Sequence, residues 1–156
     1  MQIYVDMDGV LADFDRHYLR TFGKVPTRPG GTDWKAIRVH EGFYAGIPPM
    51  PDMNVLWGYL RPHKPIVLTG IPSNVPEAKA NKQEWIKKYL PLDTKVIYCQ
   101  AKNKYKNCLP GDLLIDDYDK HKQAWLSAGG LWIDHTSAKF TCAQLYALEI
   151  YPEEWR

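Results

Sequence analysis

Five short apolar runs, separated by longer stretches with helical spacing, constrain the fold of this chain more than any other feature. Each run has four or five residues and is bounded by polar or turn-forming residues, which is typical of buried strands in a parallel sheet. The runs are QIYV (2–5), PIVLT (65–69), KVIYC (95–99), DLLID (112–116) and GLWID (130–134). Strands that alternate with helices favour an α/β fold with a central parallel sheet. We predict that residues 1–156 form one such domain, which is long enough to bury a core without disulfides or a structural metal.

The stretches between the runs predict five helices and one irregular insert. The helices are expected at 12–22, 52–60, 76–90, 119–128 and 138–149. The insert, at about 15–50, is rich in proline and glycine and connects the first strand to the second. In open α/β sheets the ligand crevice lies at the carboxyl ends of the strands. Because the insert leaves from the end of the first strand, we expect it to form a small cap over that crevice.

Polar residues are concentrated where the predicted strands end. Asp6 and Asp8 follow the first strand, Thr69 ends the second, and the pair Asp116-Asp117 ends the fourth. A parallel sheet gathers these carboxyl ends on one edge. Carboxylates brought so close together repel one another unless a cation lies between them. An all-oxygen set of this kind suits Mg²⁺ better than a softer metal.

This set of residues is suited to phosphoryl transfer. A carboxylate can attack phosphorus and form an aspartyl-phosphate, which splits a difficult displacement into two easier steps. A second carboxylate can protonate the leaving oxygen and later take a proton from water. A lysine and a hydroxyl can neutralise the remaining phosphate oxygens.

Four motifs resemble those of the haloacid dehalogenase (HAD) superfamily of phosphohydrolases. DMDGVLAD (6–13) looks like its first motif, IVLTG (66–70) its second and DLLIDD (112–117) its fourth, while Lys106 fits the third by its distance of ten positions from Asp116. Phe14, GFYAGIPPMPD (42–52) and KQEWIKKYL (82–90) add a likeness to the 5′(3′)-deoxyribonucleotidases. The resemblance implies a three-layer α/β/α Rossmann-like fold with the small cap after the first strand.

The resemblance also implies a role for each motif residue. Asp6 would be the nucleophile and Asp8 the general acid and base. Mg²⁺ would be held by the side chains of Asp6 and Asp116 and the backbone carbonyl of Asp8, with Asp117 nearby. The phosphate would be bound by Thr69 and by a lysine. An aspartate at position 8 is what the phosphatases of the superfamily carry, and this favours water as the final acceptor.

The choice among the lysines rests on spacing. Lys106 is our prediction for the phosphate-binding lysine, with Lys102 and Lys104 as rivals. Lys82 is expected to be an exposed helix lysine, with a phosphate contact near the mouth of the site as the alternative. Gly70 stands where the deoxyribonucleotidases tend to have a serine that contacts phosphate. The aromatic residues expected at the substrate are Phe14, Phe43 and Tyr44, with Trp34 a weaker candidate.

The substrate expected from these features is a small phosphomonoester, most simply a nucleoside monophosphate. A sugar phosphate or a nucleic-acid end is the alternative within the same chemistry, and a non-catalytic HAD-like binding module is a further one. A response-regulator receiver also combines aspartates, a threonine and a lysine on a parallel sheet. Its acidic pair follows the first strand and its lysine comes last, whereas here the lysine precedes the acidic pair.

The net charge, the apolar stretches and the cysteine content limit the kinds of partner and compartment expected for this protein. The net charge of +2 is too small to indicate a polyanion-binding surface, so we expect no polymeric nucleic acid partner. We find no signal-peptide core and no apolar stretch near the roughly 20 residues that span a bilayer, so no membrane partner is expected. Three cysteines without a CxxC pair favour a reducing cytoplasm. Small caps can leave a crevice that a second subunit closes, so a homodimer is one open prediction.

Overall fold

The fold is built on one five-stranded sheet in which all strands are parallel. A computed structural model describes residues 1–27 and 31–153. The strands are β1 (Ile3–Val5), β2 (Ile66–Gly70), β3 (Lys95–Cys99), β4 (Leu113–Asp116) and β5 (Leu131–Asp134). Their order across the sheet is β3-β2-β1-β4-β5. Every predicted strand is therefore confirmed to within one residue at each end.

Six α-helices and three 3₁₀ helices connect the strands in the described residues. The α-helices are α1 (Phe14–Phe22), α2 (Trp34–Val39), α3 (Met53–Leu60), α4 (Ala78–Tyr89), α5 (Lys122–Ser127) and α6 (Ala138–Ala147). The 3₁₀ helices are Arg61–His63, Ala101–Asn107 and Asp119–His121. The helix expected at 119–128 is thus divided into a 3₁₀ turn and α5. The helix α2, inside the insert, was not predicted.

Alternating residues of the central strands pack on opposite faces of the sheet. Val5, Val67 and Ile115 belong to the larger core, which also contains buried residues of α1, α3, α4 and α6. Tyr4, Leu68 and Leu114 belong to a smaller core on the other face, closed by Trp125 of α5. These two cores confirm the expected three-layer α/β/α arrangement.

The order of the strands places a crevice between β1 and β4. From β1 the chain adds β2 and then β3 on one side, and it returns to add β4 and then β5 on the other side of β1. Such a reversal of direction leaves an opening outside the carboxyl ends of the two strands that flank it. The backbone N–H of Asp6, which follows β1, donates to the carbonyl of Ile115 in β4 at 2.9 Å. Asp6 and Asp116 therefore lie side by side at this opening.

The insert between β1 and β2 contains α1 and α2 and a cluster of aromatic rings. Residues 28–30 of the expected insert at 15–50 lie outside the described residues. The Tyr18 hydroxyl accepts a hydrogen bond from the Asp33 backbone N–H at 2.9 Å, which joins α1 to the start of α2. The rings of Phe14, Phe22 and Phe43 pack against one another. In the described part of the chain, no helix combines the length and apolar character needed to cross a bilayer.

Candidate active site

A tight turn after β1 places the first two aspartates at the crevice. The carbonyl of Met7 accepts backbone hydrogen bonds from Leu11 at 2.8 Å and Ala12 at 2.9 Å, which reverses the chain. Gly9 has a φ of +80°, a conformation that favours glycine. Asp13 then caps α1 by accepting a hydrogen bond from the Arg16 N–H at 3.3 Å. Of the neighbouring aspartates, Asp6 and Asp8 thus face the crevice, whereas Asp13 stabilises a helix end.

Three carboxylates converge at the ends of β1 and β4. Asp6, Asp116 and Asp117 each offer an oxygen, and these oxygens lie within 4.8 Å of one another. Asp6 and Asp116 are only 8% and 4% exposed. Gly9 is part of the same arrangement, because a Cβ built on it would lie 2.1 Å from Oδ2 of Asp117. The carboxylate of Asp117 therefore occupies space that any larger residue at position 9 would need.

The buried ammonium of Lys104 lies between two of these carboxylates. Its Nζ is 2.9 Å from Oδ1 of Asp6 and 2.7 Å from Oδ2 of Asp116. Burial opposes the charge on Lys104, but the two carboxylates raise its pKa above the ordinary value. Burial and then the neighbouring charge of Asp6 raise the pKa of Asp116 to about 7, against the opposing effects of Lys104 and a 3.0 Å hydrogen bond from the Tyr118 backbone N–H. Asp6 and Asp116 thus share the ammonium group of Lys104.

The donor set fits a hard divalent cation. All the candidate ligands are carboxylate oxygens, which Mg²⁺ prefers. Their oxygens lie within 4.8 Å of one another, close enough to be ligands of one ion. A divalent cation among Asp6, Asp116 and Asp117 would offset the repulsion between carboxylates at this distance.

A second buried lysine, Lys82 of α4, holds Asp8 away from this cluster. Lys82 is 1% exposed, and its Nζ donates to Oδ2 of Asp8 at 2.6 Å, to Oγ1 of Thr69 at 2.9 Å and to the carbonyl of Gly70 at 2.8 Å. The Nζ also lies 4.9 Å from the centroid of the Tyr44 ring, a cation–π distance. Oδ1 of Asp8 is buried and has no hydrogen-bond partner among the described residues. Lys82 therefore fixes one oxygen of Asp8, while the other oxygen has its hydrogen-bonding capacity unused among the described residues.

The carboxylates form the floor of a cavity of about 590 Å³. Phe14 and Tyr44 form part of its wall together with Trp34 of α2. Phe14 and Tyr44 are 5% and 2% exposed, whereas Trp34 is 39% exposed. Burial and the charge of Asp8 raise the pKa of the Tyr44 hydroxyl well above its ordinary value. Trp34 is thus the aromatic side chain with the most surface to offer a ligand.

The structure corrects the choice of lysine. Lys104, and not Lys106, reaches the carboxylates, while Lys106 is exposed and does not line the cavity. The physical reason is the 3₁₀ conformation of Ala101–Asn107. Three residues per turn place Ala101, Lys104 and Asn107 on one face, which is the face towards the cavity and the sheet. Lys106 falls outside that face.

Of the other expected substrate contacts, Phe43 differs from the prediction, while Thr69 and Gly70 lie beside the aspartates of the site. Phe43 is 1% exposed and packs inside the insert against Phe14, His17 and Phe22, so it does not line the cavity. Thr69 is fully buried, and its hydroxyl oxygen accepts the hydrogen bond from Lys82. Gly70 does line the cavity, and a Cβ on it would approach Ala101 at 3.1 Å. A glycine at position 70 therefore allows β2 and the 3₁₀ helix Ala101–Asn107 to approach closely.

Lys82 was expected to be exposed, yet it is a central residue of the site. The sequence does carry a signal for it. Ala78, Lys82, Trp85 and Ile86 are the buried residues of α4, and their spacing of four, three and one positions defines a single helical face. A lysine on an otherwise apolar face must find buried partners, and here they are Asp8, Thr69 and Gly70. Trp34 at the cavity was likewise ranked too low.

Comparison with known proteins does not identify the activity of this chain. The chain matches no family model and no curated protein sequence. It is similar to the solved structure of the L-2-haloacid dehalogenase from Xanthobacter autotrophicus with chloropropionic acid covalently bound, with a TM-score of 0.49 and 13% identity. The match covers 97% of this chain and 84% of that chain. The activity must therefore be argued from the side chains of the site.

Proposed function

We propose that this protein is a HAD-type phosphomonoesterase that depends on Mg²⁺ and uses Asp6 as its nucleophile. One observation carries the proposal: Asp6, Asp116 and Asp117 converge within 4.8 Å, while Asp8, two residues after Asp6, is held apart by its own lysine. A metal-binding cluster beside a separate carboxylate provides both parts that phosphoryl transfer through an aspartate requires.

The reaction proceeds in two displacements. A carboxylate oxygen of Asp6 attacks phosphorus, the bond from phosphorus to the ester oxygen breaks, and the leaving alcohol takes a proton from the Asp8 carboxyl. A water molecule then attacks the phosphorus of the aspartyl-phosphate and gives its proton to the Asp8 carboxylate. Inorganic phosphate leaves and Asp6 is regenerated. Atoms and charge balance with water as the only co-reactant.

The contacts of Asp8 suit this double role. Its Oδ2 is fixed by Lys82 at 2.6 Å, and its Oδ1 is the atom left without a partner. In the proposed reaction Oδ1 carries the proton to and from the reacting oxygen. Lys82 orients the carboxylate so that the proton is transferred at a defined position.

Groups at the floor of the cavity would neutralise the negative charge of the phosphate oxygens. Mg²⁺, held by Asp6, Asp116 and Asp117 with the backbone carbonyl of Asp8, would neutralise phosphate oxygens as charge develops on them. Lys104, beside Asp6, takes the place that the resemblance gave to Lys106. The Thr69 hydroxyl, with its oxygen accepting from Lys82, keeps its hydrogen to donate to phosphate.

The proposed substrate is a nucleoside monophosphate, with a deoxyribonucleotide as the first candidate. Trp34 supports this assignment because its partly exposed ring lines the cavity. Stacking of a base on an aromatic ring is worth about 1–3 kcal/mol. Replacing Trp34 with alanine should therefore raise the KM for dTMP about 5- to 100-fold and leave the KM for glucose 6-phosphate within about twofold. Equal changes for both substrates would contradict a base on Trp34.

The test of the proposed activity is phosphate release from a panel of phosphomonoesters with Mg²⁺ or with EDTA. The panel contains dTMP, dUMP, dGMP, UMP, AMP, glucose 6-phosphate and p-nitrophenyl phosphate, and Asp6→Asn is the matched inactive control. We expect release that requires both Mg²⁺ and Asp6, and that is fastest with deoxynucleotides. Fastest release from glucose 6-phosphate would retain the chemistry and replace the substrate. Release that persists in Asp6→Asn, or no release from any ester, would overturn the proposal, the latter in favour of a binding module.

A further inference from the structure

A group of basic side chains, more exposed than the buried Asp6 and Asp116, lines the same cavity. We call Lys102, Lys120 and His121 the basic rim. Lys102 belongs to the 3₁₀ helix Ala101–Asn107 that follows β3, and the other two belong to the 3₁₀ helix Asp119–His121 that follows β4. All three line the same cavity as Asp6 and Trp34. Two separate connections of the fold thus bring positive charge to one opening.

Within the described residues, the two lysines of the basic rim form no ion pair, in contrast to the lysines of the floor. Lys82 and Lys104 are both engaged with aspartates. Among residues 1–27 and 31–153, no carboxylate lies within ion-pair distance of Lys102 or Lys120. The pKa of His121 is lowered by burial and then by the charges of Lys120 and Lys104. Lys102 and Lys120 therefore bring to this cavity two ammonium groups that no described carboxylate pairs with.

The proposed cleavage reaction does not use this charge. The scissile phosphate is met at the floor by Lys104, Thr69 and the acidic cluster with its cation. A cavity of about 590 Å³ holds considerably more than one phosphate and falls within the usual range for small-molecule sites. A ligand that reaches from the floor to the opening would place its far end against the basic rim.

We propose that the substrate carries a second phosphate group, which the basic rim binds while the first phosphate is cleaved at Asp6. This inference rests on the proposed function, since it assigns the other end of the same substrate. Lysine ammonium groups and an imidazole N–H donate charge-assisted hydrogen bonds to phosphate oxygens. The preferred substrate is then a bisphosphate, built either on a nucleoside or on a sugar, and the nucleoside monophosphate of the proposed function is the weaker substrate that lacks the second phosphate.

The test compares matched pairs of esters that differ by one phosphate. The pairs are thymidine 3′,5′-bisphosphate with dTMP, and fructose 1,6-bisphosphate with fructose 6-phosphate. The test variant is Lys102→Gln with Lys120→Gln, and the control is Lys87→Gln with Lys139→Gln, which removes the same charge from exposed positions outside the cavity. We expect the wild-type KM for the preferred bisphosphate to be about tenfold or more below that of its monophosphate.

The basic-rim variant should remove that preference and the control should not. We expect Lys102→Gln/Lys120→Gln to raise the KM for the bisphosphate about tenfold while the KM for the monophosphate stays within about twofold. The pair that shows the larger preference for its bisphosphate identifies whether the substrate is built on a nucleoside or on a sugar. Equal KM values for both members of both pairs in the wild type, or equal effects of the variant on mono- and bisphosphate, would overturn the inference.

Binding measured without turnover separates this inference from the proposed function. Titration calorimetry of the same four esters into the protein in EDTA reports affinity whether or not any phosphate is released. A bisphosphate that binds more tightly than its monophosphate, and loses the advantage in the basic-rim variant, would support the inference even if no ester were cleaved. Phosphate release that requires Asp6, together with equal affinities for mono- and bisphosphates, would retain the proposed function and reject the second phosphate.

Discussion

Two buried lysines give the aspartates of the site their separate positions. Lys104 is shared by Asp6 and Asp116, and Lys82 is paired with Asp8. Without these lysines, like charges at such short distances would force the carboxylates apart or neutralise them by protonation. Because each pairs with a different lysine, Asp6 can act as the nucleophile while Asp8, two residues away, donates and accepts protons.

Substitutions of single residues should distinguish Lys104 from Lys106, two positions further along the chain. Lys104→Met should lower kcat/KM by about 10²-fold or more, because it removes a cation in contact with Asp6 and leaves buried carboxylates unpaired. Lys106→Met, which removes an exposed lysine, should leave kcat/KM within about twofold. Steady-state kinetics of both variants, with circular dichroism to confirm folding, would check this. A larger loss in Lys106→Met would restore the original spacing argument.

At the scale of elements, the turn between β1 and α1 is the part most dependent on a single residue. Gly9 has a positive φ, and a Cβ on it would meet Asp117 at 2.1 Å. Gly111 has a similar φ of +87°, but a Cβ there would meet nothing within 4 Å. The two glycines therefore share a backbone cost and differ only in the contact.

Replacing each glycine with alanine separates these effects. Gly9→Ala should weaken Mg²⁺ binding by about tenfold or more, because Asp117 must move out of the cluster. Gly111→Ala should lower the free energy of unfolding by about 1 kcal/mol and leave Mg²⁺ affinity unchanged. Titration calorimetry with Mg²⁺ and urea denaturation of both variants give the two quantities. The same Mg²⁺ affinity in both variants would show that Asp117 is not a ligand.

The insert that carries α1 contains a half-buried histidine with a predictable effect on stability. The ring of His17 packs 4.7 Å from that of Phe43, and its Nε2 is buried without a partner among the described residues. Burial lowers the pKa of His17, opposed by a hydrogen bond to the Phe43 backbone. The folded protein therefore binds a proton on His17 less readily than the unfolded chain does.

The sign of this effect fixes its pH range. Stability from a neutral His17 is present above the unfolded pKa of about 6.5 and is lost as the pH falls below it. The wild type should thus lose more unfolding free energy between pH 7 and pH 5 than His17→Gln does. Urea denaturation of both proteins across this range is the measurement. Parallel pH profiles would contradict a neutral buried His17.

For the whole molecule, the order of the strands decides where chemistry can occur. The reversal of direction between β1 and β4 brings together aspartates that are 110 positions apart in the chain, Asp6 and Asp116. This convergence could be predicted from sequence because apolar runs locate strands and the polar residues at their ends follow directly. The three-layer arrangement followed from the same alternation of strands and helices.

The positions of three side chains could not be predicted, because they depend on the local type of helix or on which face of an element is buried. Lys104 was only a rival of Lys106 because a seven-residue segment of 3₁₀ helix cannot be distinguished from an irregular loop by composition. Lys82 was missed because a lysine on a helix is usually solvated, although its position on the apolar face of α4 was visible in the spacing. Phe43 was expected at the substrate because aromatic character alone does not distinguish the core of a small insert from its ligand-facing wall.

Convergence of buried carboxylates also predicts that Mg²⁺ stabilises the whole fold. A cation that binds only the folded protein adds about 2.7 kcal/mol at a concentration one hundred times its Kd. For a chain of this size that corresponds to an increase in Tm of about 5–10 °C. Thermal denaturation with and without Mg²⁺ should show this increase in the wild type and little of it in Asp116→Asn. Equal increases in both proteins would place the bound Mg²⁺ elsewhere.

The proposal that Asp6 is the nucleophile is tested most directly by detecting a phosphoryl group on its side chain. Asp8→Asn should slow turnover by about 10²–10⁴-fold, the usual contribution of a general acid and base. Its nucleophile stays intact, so the variant can be mixed with the best ester of the panel and Mg²⁺, quenched in acid and digested for peptide mass spectrometry. We expect one added phosphoryl group on the amino-terminal peptide of Asp8→Asn, located at Asp6. The double variant Asp6→Asn/Asp8→Asn should lack it. A phosphoryl group on another residue, or Asp8→Asn turnover with no phosphorylated peptide at any time, would contradict it.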